Sequence, residues 1–410
     1  MAELPRPLPG FYYDHTLKRY FPVSSKRKVL ALQSSTSDNE GQLKSPKRRA
    51  VDGALRLQPF RSLEGLLDRS EIERITHSYQ ARALCSLHLK YKDRLNLHPV
   101  SYAGEATCLA VTHDIHVAGA SDGDLFTRRR SDTSASSQGP EHLGPWVLER
   151  SLHTMITSVA ILNDLYFAAS LGPAPRIAVT PLDRSGEGHT LSLPKAAQDV
   201  RTASFTSSGV ALGCSGRLLF CSRADEIEFG LIHLSTRSDV VAVHQERNEL
   251  FFGTRNGDVR LWDIRLPPSS AQQISARSTS VTHLRAIHEA QLLICLINGT
   301  VDLCDLRFLR SSRAVQQTPI MSLLGHQNSY TLGLGCCLSD DSDMLFLAGQ
   351  DQCIRSWSLR TAEQQRVQSE LRDNPLSSSF LHPIKAMSLS EGEGVVDLHA
   401  IDGYVSYVWG

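Results

Sequence analysis

ELFFGTRNGDVRLWDIR, residues Glu249 to Arg265, reads as two short strands around a tight turn. Leu250-Phe251-Phe252 is one apolar run, Val259, Leu261 and Trp262 form a second, and Asn256-Gly257-Asp258 lies between them. Asn-Gly between two β-rich runs is a strong hairpin signal, because both residues tolerate positive φ. The segment is expected to be a β-hairpin whose second strand closes on Trp262-Asp263. Its last four residues, Trp-Asp-Ile-Arg, either end a strand or offer a grip to another protein.

The hairpin has relatives along the chain. Further turns fall at Asp122-Gly123, Pro173-Ala174, Ser215-Gly216, Asn298-Gly299, Asp351-Gln352 and Asp402-Gly403. The turn glycines 216, 257 and 299 are 41 and 42 residues apart, and the next two steps are near 52. Strand-like segments at 157–162, 201–205, 240–244 and 280–287 precede individual hairpins. An all-β unit recurring every ~40–45 residues, with polar insertions, is the mark of a β-propeller of the WD-repeat type. Seven such units predict an all-β, seven-bladed WD-repeat propeller over 83–410. The lack of helix-period segments between hairpins excludes leucine-rich and ankyrin arrays. The last unit stops after its third strand, at Trp409-Gly410, so the alternating ALCSLHLKY (83–91) is expected to supply the outer strand of the seventh blade. That pairing would close the ring and remove its open edges.

Residues 60–82 carry helical spacing. Ser70 and Glu73 make a capping box, and Ile72, Ile75 and Tyr79 share a face, so a helical hairpin is expected there. It either packs on the propeller as a lid or docks into a partner groove. The segments 128–145 and much of 361–380 read as surface insertions. Residues 1–59 read as a largely disordered tail, too poor in apolar residues to offset chain entropy.

The net charge of zero hides an asymmetry. Residues 1–60 hold eleven Lys/Arg against five Asp/Glu, and the remainder carries the compensating negative balance. The excess sits in Lys26-Arg27-Lys28 and around Lys47-Arg48-Arg49. Such clusters are either nuclear-targeting signals or a solvated arm. No aromatic residues are interleaved to stack on bases, which argues against nucleic-acid recognition. No run approaches the ~18–20 apolar residues of a membrane helix, and the first thirty residues lack a secretory apolar core. The nine cysteines are scattered, without a Cys-x-x-Cys pair, and read as buried free thiols of a reducing compartment. An intracellular protein, nuclear or cytoplasmic or both, is expected.

Enzymatic signatures are missing. There is no Gly-x-x-x-x-Gly-Lys loop, no Gly-x-Ser-x-Gly elbow and no His-Glu-x-x-His. None of the sixteen histidines pairs with cysteine at metal spacing. The expectation is a non-enzymatic protein without cofactor or metal. A propeller hydrolase would need a catalytic constellation at the central channel, and none assembles.

The ending of the first hairpin repeats. Trp262-Asp263-Ile264-Arg265 is followed one unit later by Cys304-Asp305-Leu306-Arg307, then by Trp357-Ser358-Leu359-Arg360. In period-2 geometry Asp263 and Arg265 point to one side. A carboxylate two residues before an arginine can hold the guanidinium and aim its fork outward. Tandem Asp-x-Arg endings resemble the docking motif of WD-repeat substrate receptors of cullin-4 RING ubiquitin ligases. LPGFYYDHTLKRYFPV (8–23), AGQDQCIRSWSL (348–359) and Gly325-His326 with Asn328 and Tyr330 resemble the DDB1- and cullin-4-associated factor 4 family, the WD-repeat 21 group. The aromatic motif at 8–23 is, on its own residues, either a partner surface or a segment folded back on the propeller. The resemblance implies an adaptor that docks on damaged-DNA-binding protein 1 through Asp263, Arg265, Asp305 and Arg307 and presents an unidentified protein substrate for ubiquitination. Resemblance to WD repeats also implies that Trp262, His326, Asp351 and Trp357 are structural, the last three in a network buttressing a blade. The rival reading is a general nuclear scaffold for histone or ribonucleoprotein partners, without a ligase.

Overall fold

A computed structural model of the chain describes residues 11–14, 19–22, 76, 85, 89–97 and 104–410, the last span less 130–143, 183–187, 196, 224–229, 289, 312–317, 340, 342, 368–373 and 393–394. The chain divides into two compact units, Met1–Leu63 and Glu64–Gly410. In the first, Phe11–Asp14 pairs antiparallel with Arg19–Pro22, placing Tyr12 opposite Phe21 and Tyr13 opposite Tyr20. The basic clusters Lys26–Lys28 and Lys47–Arg49 lie outside the described residues. So does the expected helical hairpin over 60–82, apart from Thr76, which is helical.

The second unit holds seven four-stranded sheets, each with one chain-order meander from strand a to strand d except where the ring closes. Blade 4 shows the rule. Its strands are Val240–Glu246 (a), Glu249–Thr254 (b), Asp258–Asp263 (c) and Gln272–Ala276 (d). Successive side chains of a strand face opposite sides of its sheet. Leu250 and Phe252 therefore pack toward blade 3, beside Phe220 and Leu234, while Phe251 packs toward blade 5, beside Leu284 and Leu292. Burial on both faces is why strand b reads as a continuous apolar run rather than an alternating one.

Seven hydrophobic clusters follow the same logic around the circle, each between one blade and the next. The cluster uniting Ala386 and Ile401 with Ala106, Ala118 and Phe126 joins blade 7 to blade 1 and completes the ring. The Asn256-Gly257 turn is tighter in its demands than the sequence suggested. Gly257 alone of the pair takes positive φ, at 94°. A Cβ there would lie 2.2 Å from the carbonyl oxygen of Arg277, so the turn packs directly against the loop entering blade 5.

Ring closure uses a different segment from the one expected. Tyr91–Asn96, not 83–91, pairs antiparallel with Val405–Trp409, from Tyr91 opposite Trp409 to Asn96 opposite Val405. Two described residues of 83–91 pack inside instead. Cys85 and Leu89 are buried in the core between blades 6 and 7, and the Asn374 side-chain amide donates to both of their carbonyls, at 2.6 and 3.1 Å. The true outer strand, YKDRLN, is polar because a d strand faces solvent. The insertion read over 128–145 also needs correction. Arg128 and Arg129 end strand c of blade 1, and Arg128 is buried. Within 361–380, Gln364–Gln365 forms the outer strand of blade 6, and Asn374 is buried.

Two faces follow from this topology. On one, the end of each c strand meets the a–b turn of its blade: Ile264 donates to the Asn248 carbonyl, Leu306 to Ala290 and Leu359 to Asp343, at 2.8–3.0 Å. On the other, b–c turns meet the loops entering the next blade, as Gly257 does with Arg277.

Candidate functional site

The two Asp-x-Arg endings fall on the first of these faces, in adjacent blades. In blade 4 the Arg265 guanidinium forks onto Asp263, Nε to Oδ1 at 2.9 Å and Nη2 to Oδ2 at 2.6 Å. The Arg265 backbone N–H donates to the same Oδ1 at 3.1 Å, so the aspartate turns the backbone as well as holding the side chain. Blade 5 repeats the arrangement. Arg307 Nε donates to Asp305 Oδ1 at 3.0 Å, Nη2 to Oδ2 at 2.6 Å, and the Arg307 backbone N–H to Oδ1 at 2.8 Å. Here the carboxylate precedes a short helix, Leu306–Ser311, and caps its first turn.

Both arginines remain largely in solvent, 68% exposed for Arg265 and 77% for Arg307. Their aspartates sit lower in the surface. The Arg265 side chain holds the Asp263 carboxyl down at about 2, and Arg307 likewise lowers Asp305. A bidentate charged pair restricts a side chain that would otherwise lose much rotamer freedom on binding. The arrangement is thus a pair of pre-ordered cations that leave Nη1 directed away from the clamp. Each is followed by an exposed apolar residue, Leu266 in blade 4 and Phe308 in blade 5. Sequence reading missed that addition, although both lie next to the quoted arginines.

Trp262 anchors the blade 4 ending from below. It is buried, meets Phe220 edge-on at 5.6 Å, and its indole N–H donates to the Leu266 carbonyl at 3.0 Å. In blade 5, Cys304 occupies the equivalent place, and its sulfur receives Arg277 Nη2 at 3.1 Å. Trp357 is buried in the core between blades 5 and 6, and its indole donates to the Leu324 carbonyl at 3.0 Å.

The network expected of His326, Asp351 and Trp357 is only partly brought together. His326 meets the Trp357 ring edge-on at 6.3 Å. Asp351 instead pairs with Arg355, whose Nη1 donates to Oδ1 at 2.8 Å. An arginine four residues away competes better for the carboxylate than a neutral imidazole does. Burial, with Arg355 nearby, pulls His326 down to about 4, so the ring is neutral near pH 7.

The central channel, about 390 Å³, is lined by a strands and their entry loops, including Cys108, Arg201, His283, Arg285, Cys336 and Lys385. Burial lowers His283 to about 3. Among the described residues, no group of three or more His, Cys, Asp or Glu is placed to hold a metal ion. No helix among them is long and apolar enough to cross a membrane.

Comparison with known proteins bears on the fold. The WD40 β-propeller domain of Doa1 matches with a TM-score of 0.57 at 14% identity, covering 78% of this chain and 96% of that one. A computationally designed protein, Ika8, matches with a TM-score of 0.49 at 18% identity, covering 78% of this chain and 99% of that one. The seven four-stranded sheets and the likeness to the Doa1 domain make the fold a seven-bladed WD40 β-propeller. In sequence, the chain is similar to WD repeat-containing protein 21 of Schizosaccharomyces pombe, 22% identical over 393 residues that span 87% of this chain and 89% of the relative. No family model matches the chain.

Proposed function

We propose that this protein is a non-enzymatic substrate receptor of a cullin-4 RING ubiquitin ligase. It grips damaged-DNA-binding protein 1 with the face that carries Arg265 and Arg307 and presents a protein substrate elsewhere. The observation that supports this reading is the repeated clamp, Asp263 on Arg265 and Asp305 on Arg307, in two adjacent blades. Two exposed cations held at one blade's spacing, with Leu266 and Phe308 beside them, suit a protein surface that is both acidic and apolar. The folded remainder carries negative charge while the tail is basic, which fits a nuclear address read from the tail.

Affinity purification of the tagged full chain, with quantification of co-purifying damaged-DNA-binding protein 1, cullin-4 and histones, tests the reading. Near-stoichiometric adaptor with cullin-4 is the expected result. Histones or ribonucleoproteins without the adaptor would replace it with the general nuclear scaffold.

A further inference from the structure

Blade 6 departs from the Asp-x-Arg pattern in sequence while still pairing its terminal arginine with an aspartate. Trp357-Ser358-Leu359-Arg360 has serine where blades 4 and 5 have aspartate, and Ser358 is buried. A hydroxyl cannot clamp a guanidinium by charge. The carboxylate arrives from elsewhere: Arg360 Nε donates to Asp343 Oδ1 at 2.6 Å. Asp343 belongs to the a–b turn of the same blade, and its backbone carbonyl receives the Leu359 N–H at 2.8 Å. The turn that meets the end of strand c thus delivers the missing aspartate, and 47% of the Arg360 side chain stays in solvent. The same carboxylate lies 3.6 Å from His288 Nε2, at the a–b turn of blade 5.

We infer that Arg360, fixed by Asp343, is a third arginine of the face that carries Arg265 and Arg307, and that the surface it meets is an acidic protein surface spanning three successive blades. The inference rests on the docking reading and extends it. Each guanidinium is already paired with an aspartate, so at these three arginines the face presents no run of the uncompensated cations on which binding of a phosphate backbone depends. What it offers instead is directional donors with apolar side chains between them. Leu266 and Phe308 follow the first two arginines, while Thr361 follows the third. The matching surface is therefore apolar and acidic opposite blades 4 and 5, and acidic only opposite blade 6.

The test is binding of the purified full chain to purified damaged-DNA-binding protein 1 by calorimetry at several salt concentrations. Arg360→Ala is expected to weaken binding roughly fivefold and to flatten the salt dependence, as loss of one interfacial cation does. Asp343→Asn is expected to weaken it less, and Asp343→Asn with Arg360→Ala no more than Arg360→Ala alone, because Asp343 acts through Arg360. Arg360→Lys is expected to recover the salt dependence but only part of the affinity, since ammonium lacks the planar fork. If Arg265→Ala with Arg307→Ala abolishes binding while Arg360→Ala changes neither affinity nor salt slope, the third contact is wrong and the docking reading stands. If the Arg265/Arg307 pair also has no effect, both fall.

Discussion

The buried guanidinium of Arg128, on strand c of blade 1, donates to Asp93 Oδ2 at 2.6 Å. Asp93 lies on the strand that closes blade 7, so this pair latches the first blade to the closing strand. The Arg128 side chain is 2% exposed and that of Asp93 42%, and Arg128 Nε also reaches the Gly144 carbonyl at 2.7 Å. Fully buried pairs cost ~3–5 kcal/mol when one partner is removed, and water access to Asp93 lowers this to about 2 kcal/mol. Asp93→Ala should lower the urea midpoint accordingly and speed hydrogen exchange at Val405–Val408 before other blades. Uniform exchange across all seven blades would show that the pair is not a latch.

Two buried histidines, His116 and His399, and three half-buried ones, His244, His283 and His326, should make the ring acid-labile. Burial holds His116, His244 and His283 at about 3 and His326 at about 4, and pushes His399 well below its ordinary value. His116 and His399 meet edge-on at 4.6 Å across the blade 7–blade 1 seam, near Arg128. The unfolded chain takes up a proton at each site below about 6.5, while the folded ring does not. Stability is therefore present above pH 6.5 and lost as pH falls toward 3, by up to about 1.4 kcal/mol per pH unit for each histidine. Urea midpoints should fall steeply between pH 7 and 5. His244→Phe, which keeps a ring against Phe251, should remove about one proton from the slope. A flat profile over that range would contradict the burial.

What the sequence made legible is what local pattern enforces. The Leu250-Phe251-Phe252 run exposed a strand buried on both faces, and Asp263-Ile264-Arg265 exposed a clamp because both partners are two residues apart. Tyr91–Asn96 stayed hidden because an outer strand facing solvent carries no apolar alternation, whereas Cys85 and Leu89 carried a spacing set by core packing. The carboxylate of Arg360 was invisible for a different reason. Asp343 comes 17 residues earlier and reaches the arginine only because the a–b turn and the end of strand c converge. Arg128 reads as the start of a surface insertion, and only the three-dimensional position of Asp93 explains its burial.

The basic clusters yield a prediction independent of the ring. Replacing Lys26–Lys28 and Lys47–Arg49 with alanine should reduce nuclear accumulation of the tagged protein severalfold, since the rest of the chain is net negative. Fluorescence ratios between nucleus and cytoplasm measure it. An unchanged ratio would leave these residues as a solvated arm.

The decisive variant pair is Arg265→Ala with Arg307→Ala. Both side chains are exposed, and neither clamp contributes to the inter-blade cores, so the melting temperature should be nearly unchanged. Charged anchors at an interface act chiefly on dissociation, and loss of two should weaken binding to damaged-DNA-binding protein 1 by roughly tenfold or more. Asp263→Asn with Asp305→Asn keeps both cations but removes the charge that orders them, and should give an intermediate loss. Trp262→Ala supplies the contrast. It empties a buried site beside Phe220 and releases the Leu266 carbonyl, so it should cost about 3–5 kcal/mol of stability. Its binding defect should then track the unfolded fraction and disappear at temperatures where the variant is folded. The arginine pair should show the opposite signature, full folding with lost binding, and retention of the adaptor by that folded variant would reduce Asp-x-Arg here to the end of a strand.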